Sequence, residues 1–138
     1  MGVVLDTSVL IAAERRTLRF AALLRSLGDE PVGMAAITAA ELLHGCHRAA
    51  EPGVRARRGA FVEALLAAVP ILPYGVAEAR RHAELWAESA RLGEIVGPYD
   101  MLVGATALAH GYALATLNRR EFARIQGLTL GPTDEFSA

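Results

Sequence analysis

Three acidic residues stand where an apolar run gives way to a helical pattern. Asp6 follows Val3-Val4-Leu5, Glu41 follows the run at 32–36, and Asp100 opens the segment 97–111. Carboxylates brought together repel one another strongly unless a cation neutralises them. Hard oxygen donors with few protein contacts suit Mg²⁺ or Mn²⁺, which keep waters and take up substrate phosphates. An ion held this way activates water for attack on phosphorus and stabilises the leaving oxygen. It also reverses the local field, so a chain of formal net charge −1 can bind a polyanion at one spot. Each carboxylate has a structural reading beside this one. Asp6 could cap the following helix with help from Thr7 or Ser8. Thr38-Ala39-Ala40-Glu41 fits a capping box, with Thr38 as the N-cap. Asp100 lies in a first turn, where a negative charge complements the helix dipole.

The elements that must position these residues follow from periodicity. Apolar runs at 3–5, 32–36, 71–72 and 112–116 read as buried strands, and 128–130 as an edge strand. Phe20, Leu23, Leu24 and Leu27 mark an amphipathic helix that ends near Gly28. The segment 97–111 is apolar almost all round, begins with Pro98 and ends at Gly111, as a core helix does. A long helix is predicted over 76–92, with Val76, Ala79, Ala83, Trp86 and Ala90 inward and Arg80, Arg81, Glu84 and Glu88 outward. Strands alternating with helices predict an α/β fold whose parallel sheet of four to five strands carries helices on both faces. Ligands bind such sheets at the carboxyl ends of the strands, the edge where Asp6 and Glu41 fall. One domain over 1–132 is expected, followed by a polar, frayed tail at 133–138.

Composition sets outer limits. The chain has 138 residues and is 53% hydrophobic, enough for a substantial core. All 14 basic residues are arginine, which excludes any mechanism that needs a catalytic lysine. A haloacid-dehalogenase-like phosphotransferase is disfavoured for that reason, and because Ser8 stands where its second acid would be. Near-neutral charge gives no global case for nucleic-acid binding. The local run Arg55, Arg57, Arg58 could contact RNA phosphates or form a solvated face. His44, Cys46 and His47 lack the partners that four-coordinate zinc requires. No run is long enough to span a bilayer, no leader peptide is read at Met1, and the lone Cys46 suits a cytoplasmic protein.

The ordered stretches Val4-Leu5-Asp6-Thr7-Ser8-Val9-Leu10-Ile11, Ile37-Thr38-Ala39-Ala40-Glu41-Leu42, Asp100 to Ala107 and Thr116 to Phe122 resemble the PIN-domain ribonucleases. Within that family the likeness is to the VapC toxins of bacterial type II toxin–antitoxin pairs. The resemblance implies a three-layer α/β/α sandwich and a Mg²⁺- or Mn²⁺-dependent endoribonuclease. It further implies inhibition by a cognate antitoxin, through which the pair contacts DNA and represses its own operon. Asp6, Glu41 and Asp100 are then the metal-binding acids, with Thr7 or Ser8 hydrogen-bonded nearby. Asn118 falls where many relatives place a fourth acid and brings no charge, which puts a second metal in doubt. Glu121, one helical turn on, either compensates or is a solvated residue. An alternative is a catalytically weak protein that only completes an antitoxin-bound repressor complex. The high apolar fraction suggests a homodimer face and a groove for an antitoxin helix.

Overall fold

The computed structural model describes residues 1–138. Its centre is a four-stranded, all-parallel sheet in the order β3-β2-β1-β4. β1 spans Val3–Leu5, β2 Val32–Ala35, β3 Ile71–Leu72 and β4 Ala113–Ala115. The helices are α1 (Thr7–Glu14), α2 (Phe20–Ser26), α3 (Ala36–Arg48), α4 (Pro52–Ala68), α5 (Val76–Leu92), α6 (Pro98–His110) and the short α7 (Arg119–Phe122). Alternation along β1 divides the core into two layers, since successive side chains of a strand point to opposite faces. Val3 and Leu5 pack with Val9, Leu10, Leu23, Met34, Leu42, Val62 and Leu65 on one face. Val4 packs with Val103, Ala107, Leu114, Phe122 and Ile125 on the other. The arrangement is the expected α/β/α sandwich.

The chain lays down β1, β2 and β3 in one direction and then returns to place β4 on the far side of β1. The carboxyl ends of β1 and β4 therefore flank the topological switch point, where α/β sheets open a crevice. α6 carries the chain into that return. Met101, Val103, Gly104, Ala105, Thr106 and Ala107 are all buried, so the helix is apolar on nearly every side. It stops in a Schellman motif: Gly111, at φ +67°, donates to Leu108 O, and Tyr112 donates to Ala107 O at 2.9 Å.

Three expectations are corrected. The edge strand at 128–130 is only an isolated parallel bridge between Leu130 and Leu114. The tail is not frayed: Thr133 is 1% exposed, Phe136 packs on the core, and Ser137 bridges to Leu18. α5 has the predicted bounds but not the predicted face. Val76 and Trp86 are exposed at 69% and 64%, whereas Glu78 is buried and Leu85 packs against the core. The reason is tertiary: α5 packs along α6, which turns Leu85 toward the core and brings Glu78 Oε2 to 3.5 Å from His110 Nε2 at the end of α6. The Glu78 carboxylate also accepts from Gly75 N at 2.8 Å, which anchors the start of the helix. No helix is long and apolar enough to cross a membrane.

Equilibrium urea unfolding checks this assignment of faces. Phe122→Ala, at a fully buried site, is expected to cost about 3–5 kcal/mol. Trp86→Ala is expected to stay within about 0.5 kcal/mol of the parent, as exposed substitutions do.

Candidate active site

The site begins with what the three carboxylates do not do. Asp6 occupies the N-cap position of α1, yet its side chain makes no capping bond. α3 starts at Ala36 with Ala35 as its N-cap, so Thr38 lies inside the helix and the capping box with Glu41 does not form. α6 is capped from Gly97, and Asp100 bonds to no backbone N–H. The chain does use carboxylate caps elsewhere. Glu51 accepts from Gly53 N and Val54 N, both at 2.8 Å, and these bonds hold its carboxyl below the usual range. The acids at 6, 41 and 100 are left free of that duty.

Hydroxyl groups hold two of them instead. Asp6 is 3% exposed, and its Oδ2 accepts from Ser8 Oγ at 2.7 Å and Thr116 Oγ1 at 2.8 Å. Thr116 is fixed in turn: its Oγ1 accepts from Asn118 N at 2.9 Å, and its carbonyl accepts from Thr133 Oγ1 at 3.0 Å. Ser8 Oγ also accepts from Leu117 N at 3.0 Å, which stitches the ends of β1 and β4 together. Glu41 accepts at Oε1 from Thr7 Oγ1 at 2.7 Å, and Thr7 Oγ1 lies 3.2 Å from the buried Thr38 Oγ1. These bonds engage Asp6 Oδ2 and Glu41 Oε1, and no protein donor occupies Asp6 Oδ1 or Glu41 Oε2.

Asp100 is half-buried at the opening of α6 and accepts no hydrogen bond. Burial first, and then the charges of Asp6, Glu41 and Glu121, push its carboxyl up to about 6. The fold therefore brings Asp6, Glu41 and Asp100 into one electrostatic neighbourhood and adds Glu121 to it. No three His, Cys, Asp or Glu side chains are set to hold a metal ion in this arrangement. Asn118 contributes its backbone N–H to Thr116, and no hydrogen bond engages its amide side chain.

Sequence reasoning assigned no role to Thr116 or Thr133 and read Thr38 only as a helix cap. A lone hydroxyl at a strand end carries no spacing signal, and each acquires its meaning only from what folds against it. The basic run also separates in space. Arg55 donates to Ala49 O and His47 O, Arg57 remains on the surface, and Arg58 pairs with Glu14 at 3.0 Å. Only Arg58 of the three reaches the cavity that opens beside Glu41.

The family model described as the PIN domain matches residues 3–128. Ribonuclease VapC1 of Rickettsia felis is 36% identical over 131 residues, 93% of each chain. The tRNA(fMet)-specific endonuclease VapC of Shigella flexneri is 31% identical over 103 residues, 75% of this chain and 76% of that one. Among solved structures, DNA-bound VapBC from Salmonella typhimurium superposes with a TM-score of 0.85 at 28% identity, covering 95% of this chain and 97% of that one. A match of this extent, over a sheet edge whose acids are free of any capping role, places the chain in the PIN-domain family, among the VapC ribonucleases.

Proposed function

We propose that this protein is the toxin of a type II toxin–antitoxin pair, a divalent-metal-dependent endoribonuclease with Asp6, Glu41 and Asp100 as the metal-binding acids. The observation that carries the reading is Asp100, whose acid form is favoured by burial and by three neighbouring carboxylates. Such a cluster is electrostatically incomplete without a cation. The donor set fits Mg²⁺ or Mn²⁺: it is all oxygen, and Asp6 Oδ1 and Glu41 Oε2 have no competing protein donors. Bound there, the ion supplies Lewis-acid chemistry for phosphodiester hydrolysis and neutralises the substrate's charge.

The chain's own residues set the conditions. Ser8 and Thr116 fix the Asp6 carboxylate in one orientation, and Thr7 does the same for Glu41. Glu121 supplies the negative charge that Asn118 lacks, so the site retains four acids, and the catalytically weak alternative gains no support from Asn118. A cognate antitoxin as partner, with DNA contacted through it, is supported by the solved toxin–antitoxin relatives.

Cleavage of single-stranded RNA with Mg²⁺ or Mn²⁺, with and without EDTA, tests the reading. Asp6→Ala, Glu41→Ala and Asp100→Ala are each expected to abolish cleavage at unchanged circular dichroism, and EDTA to do the same. Undiminished cleavage by the Asp6→Ala/Asp100→Ala double variant would overturn it. Thr116→Val, which removes an orienting donor, is expected to lower the rate about 10–100-fold with the fold intact.

Asp100 also makes stability depend on pH. A carboxyl whose folded value lies near 6, against 3.8 unfolded, favours the folded state below about 4, and that contribution is lost as pH rises through about 6. In chelator-treated protein, Asp100→Asn is expected to be the more stable at pH 7.5 by about 1 kcal/mol, a value reduced for solvent screening of a half-exposed side chain. The gain is expected to vanish near pH 4. Denaturant titration at the two pH values measures it.

A further inference from the structure

A cavity of about 410 Å³ reaches the acid cluster through Thr7 and Glu41, which line it. That volume lies within the ~300–1,000 Å³ typical of ligand sites. Tyr99, Arg15, Arg48 and Arg58 also line the cavity. Arg58 is committed to Glu14 at 3.0 Å and to Gly45 O at 3.2 Å. Arg15 and Arg48 have neither an ion pair nor a side-chain hydrogen bond, and both are exposed. Tyr99 is 55% exposed, and no hydrogen bond or aromatic neighbour restrains it. It is the second residue of α6 and precedes Asp100 directly, about 3.8 Å away between Cα atoms. An aromatic face is thus held by a packed helix at the edge of the acids, with two free guanidinium groups on the same cavity.

On the reading of this site as an RNA-cleaving centre, we infer that the cavity is the subsite for an unpaired nucleotide flanking the scissile phosphate. Tyr99 is its base-stacking platform, and Arg15 and Arg48 hold the adjoining backbone phosphates. Stacking on tyrosine requires a base that is splayed out, so the subsite selects single-stranded or looped RNA over duplex. The guanidinium groups sit on the cavity side of the cluster and offset the repulsion between acids and incoming phosphates. A mainly apolar groove would point to a peptide. The unpaired arginines beside an exposed ring favour a polyanion that also carries flat bases.

Two measurements test this on the full chain. In steady-state cleavage of a single-stranded oligoribonucleotide, Tyr99→Ala is expected to raise KM about 10-fold with kcat within twofold, and Tyr99→Phe to match the parent. Arg15→Gln and Arg48→Gln are each expected to raise KM and to lower the salt dependence of binding by about 0.7 in log–log slope. In the Asp6→Ala background, equilibrium binding of an oligoribonucleotide carrying 2-aminopurine is expected to quench its fluorescence, and adding Tyr99→Ala to remove the quench. An unchanged KM and a retained quench in the Tyr99→Ala proteins overturn the subsite while leaving the nuclease assignment in place. If Tyr99→Ala and Arg15→Gln instead weaken antitoxin binding and leave RNA KM unchanged, the cavity is a protein-docking site and the inference fails. Quenching that depends on Tyr99 in a chain that cuts no RNA would sustain the subsite and overturn the nuclease assignment.

Discussion

The parallel pairing of β1 with β4 is the contact on which the site depends. It registers Leu5 opposite Ala115, and so brings the residues that follow, Asp6 and Thr116, side by side at the carboxyl edge of the sheet. Their 2.8 Å hydrogen bond joins positions 110 residues apart. The pairing also creates the switch point, because β4 lies on the opposite side of β1 from β2. Everything else at the site is arranged around that seam. α3 leaves β2 next to it carrying Glu41, and α6 arrives from the other layer carrying Asp100.

Holding these acids together opposes the fold. Carboxylates that could have served as helix caps at no electrostatic cost share one neighbourhood instead, and burial first, then the charges of Asp6, Glu41 and Glu121, favour the protonated form of Asp100. The surrounding core compensates. β1 is buried along its whole length, and α6 is enclosed on nearly all sides by small and aliphatic residues. Gly104 lies so close to Ile125 that a Cβ there would come within 2.6 Å of its Cδ1. Packing of α6 against the core holds Asp100 near Asp6, Glu41 and Glu121 and keeps Tyr99 in the lining of the cavity.

The hydroxyl residues divide the work differently from the acids. Thr7, Ser8 and Thr116 each donate to one oxygen of a carboxylate and leave the other without a protein donor. Such bonds fix a carboxylate's orientation and leave its second oxygen free. Thr133 extends this support toward the last residues of the chain, which Phe136 and the Ser137–Leu18 bridge hold against the core.

Much of this was legible in the amino-acid sequence. The apolar runs marked all four strands to within a residue or two at each end, because buried parallel strands are continuously apolar. Pro98 and Gly111 fixed the ends of α6 through their backbone preferences alone. Asp6, Glu41 and Asp100 stood out because each acid abuts an apolar run. Local pattern could not decide whether those acids were caps or site residues, since Thr38 and Glu41 satisfy a capping box on paper and fail it only because α3 begins three residues earlier. Nor could it orient α5, whose packing along α6 buries Glu78 and Leu85 and leaves Val76 and Trp86 in solvent. The role of Thr116, the inclusion of Glu121 and the separation of Arg58 from Arg55 and Arg57 were decided by tertiary structure. Periodicity reports on neighbours within one turn or one strand, whereas each of these depends on which distant segment packs alongside.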